Sequence, residues 1–157
     1  MLFSAWPSTT NSWSELLSLI QNIEATGWDG IWLSDHFMPD EGDNTGEYNE
    51  AWTTLAALAA TVPRVRLGVL VSGNTYRHPA VLAKMAATVD IISGGRLVLG
   101  LGAAWQKNEH VAFGIPFYTV SERLRRIEEA CQVIRSLFDN VNTTFQGRYY
   151  QLKDAPL

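Results

Sequence analysis

Three strand-end clusters in this 157-residue chain combine residue types that can do chemistry. Ser34-Asp35-His36-Phe37 sets a carboxylate beside an imidazole. An unperturbed histidine titrates near about 6.5, so it takes or gives a proton at neutral pH. His36 is therefore a candidate general acid or base, with Asp35 as its orienting neighbour. Ser72-Gly73-Asn74 and Gly102-Ala103-Ala104 are small or polar, and residues without bulk let a flat ring come close to the backbone. Arg77, before His78 and Pro79, either faces an anionic group or pairs with a loop carboxylate. Glu109 and His110 read as surface residues. His36, His78 and His110 lack ligand spacing, so no metal site is expected.

Gly100-Leu101-Gly102-Ala103-Ala104-Trp105 follows an apolar run and invites a dinucleotide-binding reading. Its sixth position is Trp105 where Gly or Ala is needed, and no acidic residue follows a second strand at the required distance. That reading is rejected.

The elements that must hold these clusters alternate. Val65, Leu67, Val69 and Leu70 form an apolar strand, a Pro-initiated helix runs from Pro79 to Ile92, Gly94-Gly95 turns the chain, and Arg96 to Leu101 forms a second strand. Both strands are apolar on both faces, as in a parallel sheet covered by helices. In such sheets ligands sit at the carboxyl ends of the strands, where the clusters above fall. Upstream, Leu2 to Trp6 reads as a strand, Trp13 to Ala25 as a helix burying Trp13, Leu16, Leu17, Ile20 and Ile23 and stopped by Gly27, Ile31 to Leu33 as a strand, and Ala51 to Val62 as a helix. The acidic stretch Met38 to Glu50 is long for a connection and is expected to be a mobile flap. Downstream come a helical turn and a helix over Ser121 to Asp139, with Leu124, Ile127, Val133, Ile134, Leu137 and Phe138 on its buried side and Cys131 a small buried residue. A hairpin turning near Gln146-Gly147 ends the pattern.

The length suits one domain, 1–157, with a real core. Hydrophobic content of 46%, charge of 18% and a net charge of -4 argue against nucleic acid or an acidic membrane as the main partner and favour small molecules. A single cysteine cannot form an internal disulfide, no apolar run reaches the roughly 18 residues of a spanning helix, and the first residues lack a signal-peptide pattern. A cytoplasmic protein starting at or near Met1 is expected. The six tryptophans read mainly as core packing, with a stacking wall for a flat ligand as the alternative. Four strand-helix units are counted, whereas a complete eight-unit barrel needs about 250 residues. Half of one is expected.

Ser34 to Phe37, Glu50 to Ala60, Arg64 to Gly68, Asn74 to Asp90 and Ser93 to Gly102, taken together, resemble the luciferase-like monooxygenase superfamily. The resemblance is nearest to the branch that uses the deazaflavin coenzyme F-420, and the Gly147 to Tyr150 turn is similar to that branch too. It implies an α/β fold of the TIM (β/α)8-barrel type, of which this chain supplies about the first four βα units and a terminal hairpin. It also implies hydride transfer or oxygen activation on a small organic substrate, with reduced deazaflavin preferred and FMN as the alternative.

The resemblance places His36 beside the reactive part of the cofactor. It places a non-prolyl cis peptide at Leu70-Val71, in a bulge supporting the ring, so that Leu70, Val71, Ser72, Gly73, Asn74, Gly102, Ala103 and Ala104 are the expected cofactor contacts. Trp105 and Phe37 are assigned to the substrate pocket. The sugar-phosphate dehydrogenases of the branch carry an acidic proton donor where this chain has Trp105, which argues against that substrate class. Ala103 stands where the catalytic subunit of bacterial luciferase carries an Arg near its flavin phosphate, which argues against light emission. The expected partners are cofactor, substrate, and either a carboxyl-terminal half or a second copy. The rival reading is a self-associating, non-catalytic half-barrel or binding module.

Overall fold

Strand and helix alternate in the computed structural model, which describes residues 1–42 and 45–157. The elements are β1 (Ser4–Ala5), α1 (Trp13–Ala25), β2 (Gly30–Leu33), α2 (Ala51–Thr61), β3 (Arg66–Gly73), α3 (Pro79–Ser93), β4 (Leu97–Gly102), α4 (Lys107–Ala112), α5 (Val120–Asp139), β5 (Asn142–Gln146) and β6 (Gln151–Pro156). One sheet has the order β1-β2-β3-β4. β1 runs parallel to β2 with Ser4 opposite Gly30, and β2 parallel to β3 with Leu33 opposite Val69. The chain forms two compact units, residues 1–72 with 88–100, and residues 73–87 with 101–157.

In the first unit Leu16, Ile20, Ile31, Leu33, Leu55, Leu58, Val65, Leu67 and Val69 are buried. Buried apolar side chains of this size each stabilise by roughly 1.5–3 kcal/mol. Glu15 reaches back to the Ser12 backbone N–H at 3.0 Å and accepts the Ser12 hydroxyl at 2.7 Å, closing the start of α1. Glu50 does the same for α2, accepting from Trp52 N–H at 3.1 Å and Thr53 N–H at 2.7 Å, so donors that a helix leaves unmatched are satisfied. Gly94 and Gly95 adopt φ of 69° and 85°, the left-handed turn that glycine permits. The chain then enters β4 through Arg96, whose guanidinium donates to Ser93 O at 2.6 Å, Val65 O at 2.8 Å and Ala59 O at 2.9 Å. One side chain thereby ties the end of α3, the approach to β3 and the last turns of α2.

In the second unit Ala130, Val133, Ile134 and Leu137 of α5 and Leu152 of β6 are buried. β5 and β6 pair antiparallel, Gln146 opposite Gln151, with a register shift between Thr143 and Phe145. Their turn closes on Glu129 of α5, whose carboxylate accepts the backbone N–H groups of Arg148 at 2.9 Å, Tyr149 at 2.9 Å and Tyr150 at 3.2 Å. Partial burial alone would raise the Glu129 carboxyl, but the three N–H groups together with the Arg126 guanidinium outweigh it and hold the group below its ordinary value.

Several packing expectations are corrected. Leu124, Phe138 and Cys131 are exposed. Positions 124, 131 and 138 lie seven apart, and each follows a buried neighbour, Arg123, Ala130 or Leu137. One residue is about 100° of helix turn, so the three share a stripe beside the buried one. Trp13 is exposed, and of the tryptophans only Trp52 is fully buried, at 1% exposure, while Trp6, Trp28 and Trp105 are exposed. β1 is two residues rather than the five expected. Of the expected flap, residues 38–42 and 45–50 form no helix or strand, its end is tied by Asn49 to Thr9 O and Asn11 O at 3.1 and 2.7 Å, and positions 43 and 44 lie outside the described residues.

Candidate functional site

β2 ends at Leu33 and delivers Ser34 to Phe37. Ser34 Oγ accepts the Trp6 indole N–H at 3.0 Å. Asp35 is buried, at 2% exposure, whereas His36 and Phe37 are half-buried.

β3 changes character along its length. Val69 is buried, yet Leu70 and Val71, still within the strand, are 46% and 41% exposed. The peptide between them is cis, where the resemblance located it. Ser72 is fully buried again, and its Oγ accepts the Trp52 Nε1–H at 3.0 Å. The strand thus presents two apolar side chains outward while its next residue is pinned.

In the second unit the loop after β3 is held at three successive residues. The Asn74 backbone N–H donates to Gly102 O at 2.9 Å, which brings the two small-residue segments side by side. The Asn74 carboxamide Nδ2 donates to the Tyr150 hydroxyl at 3.1 Å. Thr75 Oγ1 lies 2.7 Å from His110 Nε2, and the Tyr76 hydroxyl donates to Glu109 Oε1. His110 Nδ1 sits 2.6 Å from the carbonyl oxygen of Gln106. A carbonyl can only accept, so Nδ1 carries the proton, and in the neutral ring Nε2 accepts the Thr75 hydroxyl. Glu109 and His110 are therefore not the surface residues expected but fully buried ones. Nothing in the sequence marked them, because a six-residue helix is too short for its periodicity to reveal an inward face.

Tyr150 and Arg123 were likewise missed. Burial raises the Tyr150 hydroxyl, against the opposing hydrogen bonds from Asn74 and Arg126. Arg123 is buried over the Phe117 ring, 4.1 Å from its centroid, and donates from Nη1 to Tyr118 O at 2.8 Å, while its Nε has no partner among the described residues. His78 accepts the Ala80 N–H at 3.2 Å, at the start of α3, and packs edge-on against Tyr150 at 5.3 Å. Partial burial lowers its pKa.

Gly102, the last residue of β4, and Ala103 and Ala104 after it are half-buried, and Trp105 is 60% exposed. Ala104 has φ 62°, a left-handed conformation that costs a residue with a Cβ about 1–2 kcal/mol and concentrates at functional sites. Among the described residues no group of His, Cys, Asp and Glu is arranged to hold a metal ion, and no helix is long and apolar enough to cross a membrane.

The chain is 36% identical over 146 residues to an F420-dependent glucose-6-phosphate dehydrogenase of Amycolatopsis mediterranei, covering 91% of this chain and 43% of that protein. It is 34% identical over 143 residues to an F420-dependent hydroxymycolic acid dehydrogenase of Mycobacterium tuberculosis, covering 90% and 39%. A solved F420-dependent secondary alcohol dehydrogenase, in complex with an F420-acetone adduct, superposes with a TM-score of 0.90 at 26% identity, covering 99% of this chain and 48% of that one. The chain spans about half the length of the relatives it matches. The pattern of a single family, described as luciferase-like monooxygenase, runs through residues 2–157 and so through all the strand-helix units above. The chain belongs to that family, and its fold is the α/β-barrel type expected from the sequence.

Proposed function

We propose that this chain carries the cofactor-ring portion of a flavin- or deazaflavin-dependent oxidoreductase acting on a small organic substrate, with the deazaflavin preferred and FMN the alternative. The observation that carries the reading is the segment Leu70 to Asn74. It offers two exposed apolar side chains on a strand otherwise buried at that level, then a buried amide whose Oδ1 has no partner among the described residues. Exposed apolar side chains suit the face of a flat heteroaromatic ring, and an unmatched amide oxygen suits a polar edge of one. The F420-dependent relatives support the deazaflavin.

When bound, such a cofactor supplies hydride transfer or, for flavin, oxygen activation. The chain's own residues then divide the remaining work. Leu70 and Val71 pack a ring face, Gly73, Gly102, Ala103 and Ala104 keep the backbone accessible, and Asn74 meets a polar edge. His36 exchanges a proton with a substrate oxygen through its imidazole, oriented by Asp35, with Phe37 and Trp105 as apolar substrate contacts. Arg123, buried without a carboxylate partner among the described residues, has the charge to meet an anionic group. Trp105, in place of an acidic donor, favours a substrate other than a sugar phosphate. Four further strands would close an eight-stranded barrel, and we assign them to a carboxyl-terminal half or a second copy.

A second reading, a self-associating half-barrel without catalysis, draws on β4. This edge strand has none of its six residues fully buried, and open edges invite pairing with another chain. Titrating the chain with reduced deazaflavin and with FMN, read by tryptophan quenching alongside mass in solution, separates the two. Saturable binding of either cofactor supports the first reading. A stable oligomer that binds neither supports the second and sinks the first.

A further inference from the structure

The loop 73–76 is held more firmly than a connection requires. Three consecutive side chains, Asn74, Thr75 and Tyr76, each meet a different partner, namely Tyr150, His110 and Glu109. Two of those partners are a fully buried imidazole and a fully buried carboxylate. Burying such groups is unfavourable unless each is hydrogen-bonded, and here each is bonded to the same short loop. Within this arrangement one atom is left over. Asn74 is 4% exposed, its Nδ2 is engaged by Tyr150, and its Oδ1 has no partner among the described residues. An unmatched buried acceptor carries a free-energy penalty of about 1–3 kcal/mol, which a ligand donor would remove.

We infer that Asn74 Oδ1 is the acceptor that recognises an N–H or O–H donor on the ligand of this site, and that Tyr150, His110 and Glu109 are positioning residues that aim it. The inference rests on the cofactor reading above, and it names the imide-type ring N–H shared by flavin and deazaflavin as the group recognised. The direction of the Asn74 amide is set by Tyr150, because Nδ2 must point at the hydroxyl to donate. Oδ1 then diverges from Nδ2 in the plane of the carboxamide, away from that hydroxyl. His110 and Glu109 act one step further back, through Thr75 and Tyr76.

The test is equilibrium binding of FMN and of reduced deazaflavin to the full chain and four variants, with near-ultraviolet circular dichroism reporting the fold. Asn74→Leu keeps the volume and removes the acceptor, and it is expected to weaken binding about tenfold, the value of one hydrogen bond. Tyr150→Phe keeps the ring against His78 and is expected to weaken it about three- to tenfold. The double variant is expected to bind no more weakly than Asn74→Leu alone, since Tyr150 acts only through Asn74. Glu109→Ala, which removes the acceptor of the Tyr76 hydroxyl, is expected to weaken binding about two- to threefold, and unchanged binding in it would overturn the positioning role of Glu109. Additive losses in the double variant would overturn the positioning role, because a merely structural contribution adds. Unchanged affinity in Asn74→Leu would overturn the recognition role while leaving the cofactor reading intact. An unmodified chain that binds neither cofactor would overturn both.

Discussion

Replacing Ser72 with Ala removes the acceptor of a buried indole without touching a surface. Trp52 is 1% exposed and Ser72 fully buried, and their Nε1–Oγ contact is 3.0 Å. No water replaces a lost acceptor at such a depth without room for it, so the indole N–H is left unmatched at about 1–3 kcal/mol. The missing hydroxyl leaves a void well below the size of a water molecule, so the cavity contribution is small. A loss of about 2 kcal/mol is expected, or roughly 4–8 °C in Tm for a domain of this size. Urea unfolding followed by far-ultraviolet circular dichroism measures it, and Trp52→Phe completes a double-mutant cycle with an expected coupling of about 1–2 kcal/mol. Indole emission should also shift, since the buried N–H loses its partner. A Ser72→Ala loss under 0.5 kcal/mol with no coupling would refute the argument, and with it the view that Ser72 is anchored from behind and leaves the outward side of the segment to Leu70 and Val71.

Arg96→Ala strips donors from three carbonyls, all of them on buried residues, Ala59, Val65 and Ser93. A loss of about 3 kcal/mol is expected, with Arg96→Lys recovering roughly a third of it in the same urea assay. Ala104→Gly relieves a left-handed alanine at φ 62° and should stabilise by about 0.5–1 kcal/mol after the greater unfolded-state freedom of glycine is subtracted; a thermal melt showing destabilisation would contradict it. Glu129 has a folded pKa below its ordinary value, so its contribution is fully present above the unfolded pKa and is lost as pH falls through the folded one. Glu129→Gln should therefore narrow the stability difference between neutral and acid pH, and identical pH profiles for both proteins would refute the hairpin lock.

The elements carrying strong local signals were legible without coordinates. Helices over Ala51 to Thr61, Pro79 to Ser93 and Val120 to Asp139 match their expected spans within a residue or two, because alanine-rich propensity, an initiating proline and a long apolar period are properties of neighbours in the chain. The resemblance reached the cis peptide at Leu70-Val71. The inward phase of α5 was read one residue too broadly, taking in Leu124 and Phe138, since the period of a helix does not fix its rotation against the rest of the unit.

What chain order decided by itself is therefore the alternation of strand and helix and the family, both of which depend on runs of adjacent residues. What only the tertiary structure decided is the polar interior of the second unit: that Glu109 and His110 turn inward, that Tyr150 from the hairpin reaches an asparagine 76 positions earlier, and that one carboxamide oxygen has no partner among the described residues. Those facts depend on distances between segments far apart in sequence. Burial makes them consequential, since a polar group removed from water must find a partner wherever the fold has placed one.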